Sequence, residues 1–312
     1  MNSSPAAKNP LVILVAYLCG VVLLACVVAP PLYWAGDALA RQGVLPGLQG
    51  FPFHRYFSRC LQISTLVLLW PAFRLAGIRS LATLGIERNP SWRRDLAAGL
   101  AIAFVPVACL AASYIGFDVY RLKSGFAAAA VLKVLLTASA VAVLEEFLFR
   151  GVLLGLCVRA FGLWPAAVAS SALFGAVHFM RVAKPAVPVP VGWLSGFEQL
   201  PLAFSSAPPW PLLGWGFLSL VVAGLILAVA TLRTRSLFLA IGLHAGWILG
   251  QQGLQLVAKF RAKPPESLLP WVGPNVVSGA VPTGVVPAAV LLATAGFVFL
   301  YLRHAKRSLP DS

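Results

Sequence analysis

Residues 131–158 read VLKVLLTASAVAVLEEFLFRGVLLGLCV, an apolar stretch with two adjacent glutamates and one arginine near its middle. The apolar run begins near residue 126 and exceeds the roughly 20 residues that a helix needs to cross a bilayer. The whole chain has 312 residues, of which 60% are hydrophobic and 11% charged, with a mean hydropathy of +0.87. This composition is too apolar for a water-soluble domain and predicts an all-α, polytopic integral membrane helical bundle.

Apolar runs of about 20 residues predict about eight transmembrane helices within a single domain that covers residues 1–312. They lie at 10–34, 58–78, 96–116, 126–158, 163–183, 211–232, 236–258 and 283–302. The first run is longer than the apolar region of a signal peptide and predicts an uncleaved first helix. The proline-rich segment 184–210 is expected to be an extracytoplasmic loop or re-entrant cover, or else a plain connector.

The net charge of +15 comes from Lys and Arg residues that stand singly or in pairs between apolar runs. This pattern indicates membrane topology and contact with lipid headgroups, and it does not indicate a nucleic-acid partner. Clusters near the span ends at 79–95 and in the C-terminal tail predict that both termini are cytoplasmic. The 5 cysteines show no paired spacing and predict neither disulfides nor a cysteine metal site.

Glu145 and Glu146 are the only two of the 9 acidic residues that lie well inside a predicted span. A charge at the centre of a transmembrane helix costs about 2.5–3.5 kcal/mol on insertion scales, so such residues usually face a partner or a wet cavity. Glu146 and Arg150 share a helical face at i, i+4, while Glu145 is turned about 100° away. A buried ion pair explains Glu146 and Arg150, but the additional carboxylate of Glu145 indicates chemistry.

His178 and His244 lie within two other apolar spans, and together with the glutamates they predict a shared polar cavity. Two chemistries remain open. Glu145, His178 and His244 form a possible zinc ligand set with an open water position, although the zinc-protease signature HExxH is absent. Alternatively, a glutamate activates water directly without a metal or other cofactor, and a histidine polarises the substrate carbonyl.

At these residues the chain resembles the CPBP family of intramembrane proteases. This family groups CAAX prenyl endopeptidases with bacterial bacteriocin-processing and self-immunity proteins, also called ABI proteins. Its EExxxR motif corresponds to Glu145, Glu146 and Arg150, and its FxxxH motif to Phe174 and His178. The resemblance covers residues 126–258, which are predicted to form the catalytic core.

The third motif of the family is a histidine followed four residues later by a polar residue, usually Asn or Asp. His244 matches the histidine, but Ile248 occupies the polar position. The loss of one oxyanion donor costs on the order of 10²–10³ in rate. Gln251 or Gln252 is a candidate replacement, and without one we expect a slow or inactive member.

The resemblance implies an intramembrane endopeptidase, metal-dependent or glutamate-type, that acts on a membrane-associated protein or peptide such as a prenylated CAAX protein. In this reading Glu145 is the general base that activates water, and His178 assists it. Glu146 and Arg150 hold the site in shape, and His244 stabilises the oxyanion. We expect a multi-pass protein of the bacterial inner membrane.

Two other functions remain open. The departure at Ile248 favours a non-enzymatic immunity or scaffold protein of the same fold, which acts by binding a partner. A transporter that uses the acids as a proton relay is a weaker alternative, because the sequence shows no paired half-sequences of the kind common in transporters.

Overall fold

The computed structural model describes residues 9–180, 190–203, 205, 210–260 and 284–307. The described residues fall into two compact units, one within Met1–Arg79 and His178–Ala207 and the other within Ser80–Val177 and Pro208–Ser312. The architecture is helical, which confirms the predicted all-α class. A short antiparallel pair of strands, which the sequence did not predict, is the exception.

Helices of the first unit are α1 (Pro10–Arg41), α2 (Phe53–Val67), α3 (Leu69–Leu75) and α8 (Ser195–Leu202). The Asn9 side chain caps α1 by accepting a hydrogen bond from the Leu11 amide at 3.0 Å, and Pro10 occupies the first helical position. Helix α8 crosses α1 in backbone contact at Gly196. Any side chain at this position would overlap the Cys26 carbonyl of α1, so only glycine allows the approach. Part of the predicted 184–210 loop is therefore helical, and its residues 184–189, 204 and 206–209 lie outside the described residues.

Helices of the second unit are α4 (Trp92–Gly116), α5 (Ala128–Glu146), α6 (Leu154–Phe161), α7 (Leu163–His178, with its last residue in the first unit), α9 (Trp210–Thr234), α10 (Phe238–Val257) and α11 (Val285–Arg307). Between α5 and α6 the chain forms a π-helical segment, Phe147–Leu153. Strands β1 (Tyr120–Leu122) and β2 (Ala258–Phe260) pair with Tyr120 opposite Phe260 and join the chain just after α4 to the end of α10.

Each predicted span contains helix in its described residues, but the helices differ in detail. The 58–78 run is interrupted at Leu68, where α2 ends and α3 begins. Five helices of the described chain are long and apolar enough to cross a membrane by length and composition: Pro10–Arg41, Trp92–Gly116, Ala128–Phe161, Leu213–Thr234 and Val285–Ala305. The protein is thus an integral membrane helical bundle, while the number of eight crossings stays a prediction.

The centre of the second unit is the packing of α10 against α4 and α5. Glycines at 242, 246 and 250 form a stripe along α10, and at each of them an added Cβ would collide with α4. On the facing side of α4, Gly99 is in equally close contact with the α10 backbone. Small residues let membrane helices approach closely, so the glycine stripe fixes which face of α10 points toward α5. All five cysteines are free thiols.

Candidate active site

The two adjacent glutamates stand where regular α-helix gives way to π-helix. Helix α5 ends at Glu146, and Arg150 lies within the π-helical segment that follows. Both side chains are buried, with Glu146 0% and Arg150 2% exposed. Single π-turns inside helices are rare and occur frequently at functional sites, which makes this segment a place to look for chemistry.

Glu146 and Arg150 form the ion pair that their spacing predicts. Arg150 Nη1 donates to Glu146 Oε1 at 3.1 Å, and Nη2 donates to the Gly224 carbonyl of α9 at 3.3 Å. The guanidinium carbon also lies 4.3 Å from the ring centroid of Phe174 on α7. Burying a charged group costs roughly several kcal/mol, even after the surrounding protein has relaxed. These contacts offset that cost for the guanidinium.

His244 of α10 is held by the same carboxylate. Its Nδ1 lies 2.7 Å from Glu146 Oε1, and the residue as a whole is 6% exposed. An ionised carboxylate only accepts hydrogen bonds, so Nδ1 carries the proton and the ring orientation is fixed. The edge of the Phe174 ring packs near the imidazole, with the ring centroids 5.8 Å apart.

Glu145 lies on the other side of the imidazole. Its Oε2 is 3.9 Å from His244 Nε2, and its side chain is 29% exposed, whereas the side chain of Glu146 is fully buried. Neighbouring residues on a helix project about 100° apart, which is why two adjacent carboxylates reach the two nitrogens of one ring. Glu145 is therefore the more accessible of the two acids and lies beside a histidine whose orientation is fixed.

Close helix packing positions the groups around Arg150. A Cβ atom at Gly224 would come within 2.8 Å of the Ser171 Cβ, so α9 passes directly against α7. This approach brings the Gly224 carbonyl to the guanidinium on one side and Phe174 to it on another. Nothing in the sequence around Gly224 marks it as part of the site, because its contribution is a backbone atom.

The structure places the other predicted site residues as follows. His178 is the half-buried last residue of α7, one turn beyond Phe174, and its assisting role stays a prediction. Ile248 is half-buried on α10, one turn beyond His244. Gln251 is buried and lines a small cavity with Leu110 and Tyr114, on the side of α10 that faces α4, and its role as a replacement donor also stays a prediction.

Two donor atoms of this cluster are already engaged and are not open to a metal ion, while the zinc ligand set of Glu145, His178 and His244 stays a prediction. His244 Nδ1 and Glu146 Oε1 are bonded to each other, and the guanidinium of Arg150 brings a positive charge to the same oxygen. Within the described residues, no group of three or more His, Cys, Asp or Glu side chains is arranged to hold a metal. A catalytic zinc takes three protein ligands and keeps one position for water, so we derive no step through zinc.

Taken together, these features define an integral membrane protein with a buried Glu–Arg–His cluster and an accessible glutamate beside it. Residues 127–249 match the family model of the Type II CAAX prenyl endopeptidase Rce1-like proteins. The match covers the predicted catalytic core and supports the CPBP/CAAX protease family that the motifs predict. No curated protein and no solved structure matches the chain.

Proposed function

We propose that the protein is an intramembrane endopeptidase that hydrolyses peptide bonds in a membrane-associated protein or peptide. The observation that carries the proposal is the position of Glu145 Oε2, 3.9 Å from the nitrogen of a histidine that Glu146 holds through its other nitrogen. The matched family is named for CAAX prenyl endopeptidases, so a prenylated CAAX protein is the first substrate class to test.

In the proposed mechanism Glu145 is the general base and no metal takes part. The distance of 3.9 Å between Glu145 Oε2 and His244 Nε2 is too long for a direct hydrogen bond, so Glu145 can contact the attacking water while His244 contacts the substrate carbonyl oxygen. Glu145 takes a proton from water as the water oxygen bonds to the substrate carbonyl carbon. The π electrons of the carbonyl move to the carbonyl oxygen, which becomes an oxyanion. When the carbonyl re-forms and the peptide bond breaks, Glu145 passes the proton to the leaving amine.

His244 stabilises the oxyanion of this intermediate. In its doubly protonated form the ring donates from Nδ1 to Glu146 and from Nε2 to the substrate oxygen. Glu146 and Arg150 are positioning residues, because they touch the imidazole and its carboxylate partner rather than the substrate. His178 assists Glu145, as the family resemblance implies.

We further propose that the protein resides in the bacterial inner membrane with both termini in the cytoplasm. The arginines near the start of α4 and the basic C-terminal tail support this orientation. Membrane lipid surrounds the apolar helix faces, the substrate is membrane-associated, and we expect no nucleic-acid partner. Residues 126–258 form the catalytic core of a single transmembrane domain.

The proposal is tested by comparing membrane peptides from cells that express the wild-type protein or the Glu145→Gln variant. We expect at least one peptide or protein to accumulate uncleaved in Glu145→Gln cells and to be cleaved by wild type. A matched control is Glu87→Gln, which changes an exposed acid that pairs with Arg235 and should leave the peptide profile unchanged. Identical profiles of wild type and Glu145→Gln at equal folded yield would contradict the proposal.

A non-enzymatic immunity or scaffold protein of the same fold is the second candidate, and Ile248 is the observation that favours it. The family's usual polar residue at this position would supply a donor, and Ile248 supplies none. This function predicts that Glu145→Gln and His178→Ala both leave the cellular phenotype intact. Loss of the phenotype in folded forms of both variants excludes it.

A further inference from the structure

A cavity of about 560 Å³ lies in the second unit, bounded by the N-terminal end of α4 and by parts of α9 and α11. Small-molecule sites in proteins typically enclose about 300–1,000 Å³, so this cavity is large enough to hold a ligand. The residues that line it include none of the candidate active-site residues described above. The cavity therefore needs an explanation of its own.

One part of the cavity is an apolar groove between two helices. The lining side chains repeat every three or four residues along each helix, so each set forms one continuous face. They include Val222, Ile226 and Val229 of α9 and Ala295, Phe299 and Leu302 of α11. Each face runs for about 10 Å along its helix at 1.5 Å per residue.

The opposite part of the cavity is rich in arginine. Its lining contains five arginines and two acids, a formal excess of three positive charges: Arg88, Arg94, Arg233, Arg235 and Arg303 against Glu87 and Asp95. Arg233 and Arg303 lie beyond the apolar faces, near the C-terminal ends of α9 and α11, and Arg235 comes just after α9. The other residues lie just before α4 or in its first turn. The cavity thus changes from apolar to strongly basic along its length.

Both acids of the cavity already have partners. Asp95, whose side chain is 7% exposed, accepts hydrogen bonds from the Tyr301 hydroxyl and, at 2.7 Å, from the Asn89 amide. Glu87 forms an ion pair with Arg235 at 2.5 Å. Arg94 lies beside Asp95 as well. The other three arginines of the cavity, Arg88, Arg233 and Arg303, have no carboxylate within ion-pair distance among the described residues.

We propose that this cavity binds an anionic phospholipid, with the phosphate at the unpaired arginines and an acyl chain in the groove between α9 and α11. Guanidinium groups bind phosphate through paired hydrogen bonds, and basic pockets between transmembrane helices bind anionic headgroups. A soluble anion would leave the apolar groove unfilled. A zwitterionic lipid has no net negative charge and would bind the three arginines more weakly. In the orientation proposed above, the arginines lie at the cytoplasmic leaflet, which carries the anionic lipids.

The test is lipid binding to the full-length protein in detergent micelles, measured by native mass spectrometry with phosphatidylglycerol and phosphatidylcholine of the same acyl chains. We expect wild type to prefer phosphatidylglycerol by at least about tenfold in Kd. The variant Arg88→Gln/Arg233→Gln/Arg303→Gln should lose on the order of 100-fold in affinity for phosphatidylglycerol, because each arginine near a membrane surface contributes about fivefold. The control Arg159→Gln removes an exposed arginine elsewhere and should change the Kd by less than about twofold.

A second variant tests the groove without touching any charge. Ala295→Trp fills the apolar wall and should weaken phosphatidylglycerol binding by at least about tenfold, as the acyl chain loses its contact area. Equal affinity of wild type for the two lipids, or wild-type affinity in folded forms of both variants, overturns the proposal. Displacement of phosphatidylglycerol by glycerol 3-phosphate at equal concentration also overturns it and assigns the arginines to a soluble phosphate compound. Because no readout is cleavage, failure here is separate from failure of the proposed peptidase activity.

Discussion

Replacement of Arg150 by methionine should strongly destabilise the protein. The change removes a guanidinium that is 2% exposed and leaves the fully buried Glu146 carboxylate without its cationic partner. Breaking a buried pair by removing one member costs about 3–5 kcal/mol of unfolding free energy. The hydrogen bond to the Gly224 carbonyl and the contact with the Phe174 ring are lost as well.

The double variant Glu146→Gln/Arg150→Met should be more stable than Arg150→Met alone. It leaves no charge in the buried pair, and the glutamine carbonyl still accepts the hydrogen bond from His244 Nδ1. The remaining losses are the Gly224 hydrogen bond, about 1 kcal/mol, and the interaction with the aromatic ring, about 1–2 kcal/mol. We therefore expect the double variant to lose about 2–3 kcal/mol, less than Arg150→Met alone.

The assay is the free energy of unfolding in mixed micelles, obtained by titration with sodium dodecyl sulfate and followed by circular dichroism. Arg159→Met removes an exposed arginine and should change this free energy by less than about 0.5 kcal/mol. If the double variant is as unstable as the sum of the two single variants, Glu146 and Arg150 are not coupled. That result would refute the buried pair and the positioning of His244 that depends on it.

Three further predictions concern helix packing and catalysis. Gly242→Ala should cost about 1–3 kcal/mol of unfolding free energy, because the new Cβ would overlap the Leu96 carbonyl. The control Gly253→Ala places its Cβ where no atom lies within 4 Å and should be neutral or stabilising. Equal effects of the two variants would contradict the α4–α10 contact. Ile248→Asn should raise kcat by up to about 100-fold with little change in KM, as one oxyanion donor is restored, and an unchanged kcat would show that the position does not reach the oxyanion. Cleavage by the purified protein should survive prolonged dialysis against a zinc chelator, and loss of activity that zinc restores would refute metal-free catalysis.

The helical spans could be read from the sequence because a length of apolar residues is a local property. Runs such as 96–116 and 211–232 lie within α4 and α9. The interruption at Leu68, the π-helical segment and the helix in the 184–210 loop were not predicted. Each depends on which neighbours a segment packs against, as Gly196 against Cys26 illustrates.

The candidate site was predictable only in part, for the same reason. The pairing of Glu146 with Arg150 follows from i, i+4 spacing on one helix, which the sequence contains. The bond from His244 to Glu146 joins α10 to α5, and its register depends on the glycine stripe that packs α10 against α4. The Gly224 carbonyl is a backbone atom, so no side-chain pattern could identify it.

The most direct test of the central claim is the kcat of purified Glu145→Gln on a peptide that the wild-type protein cleaves. The change keeps the size of the side chain and removes its capacity to accept a proton from water. We predict that cleavage falls to the uncatalysed rate while the folded yield and the unfolding free energy stay within about 1 kcal/mol of wild type. Cleavage by folded Glu145→Gln at the wild-type rate would contradict the role of Glu145 as the base.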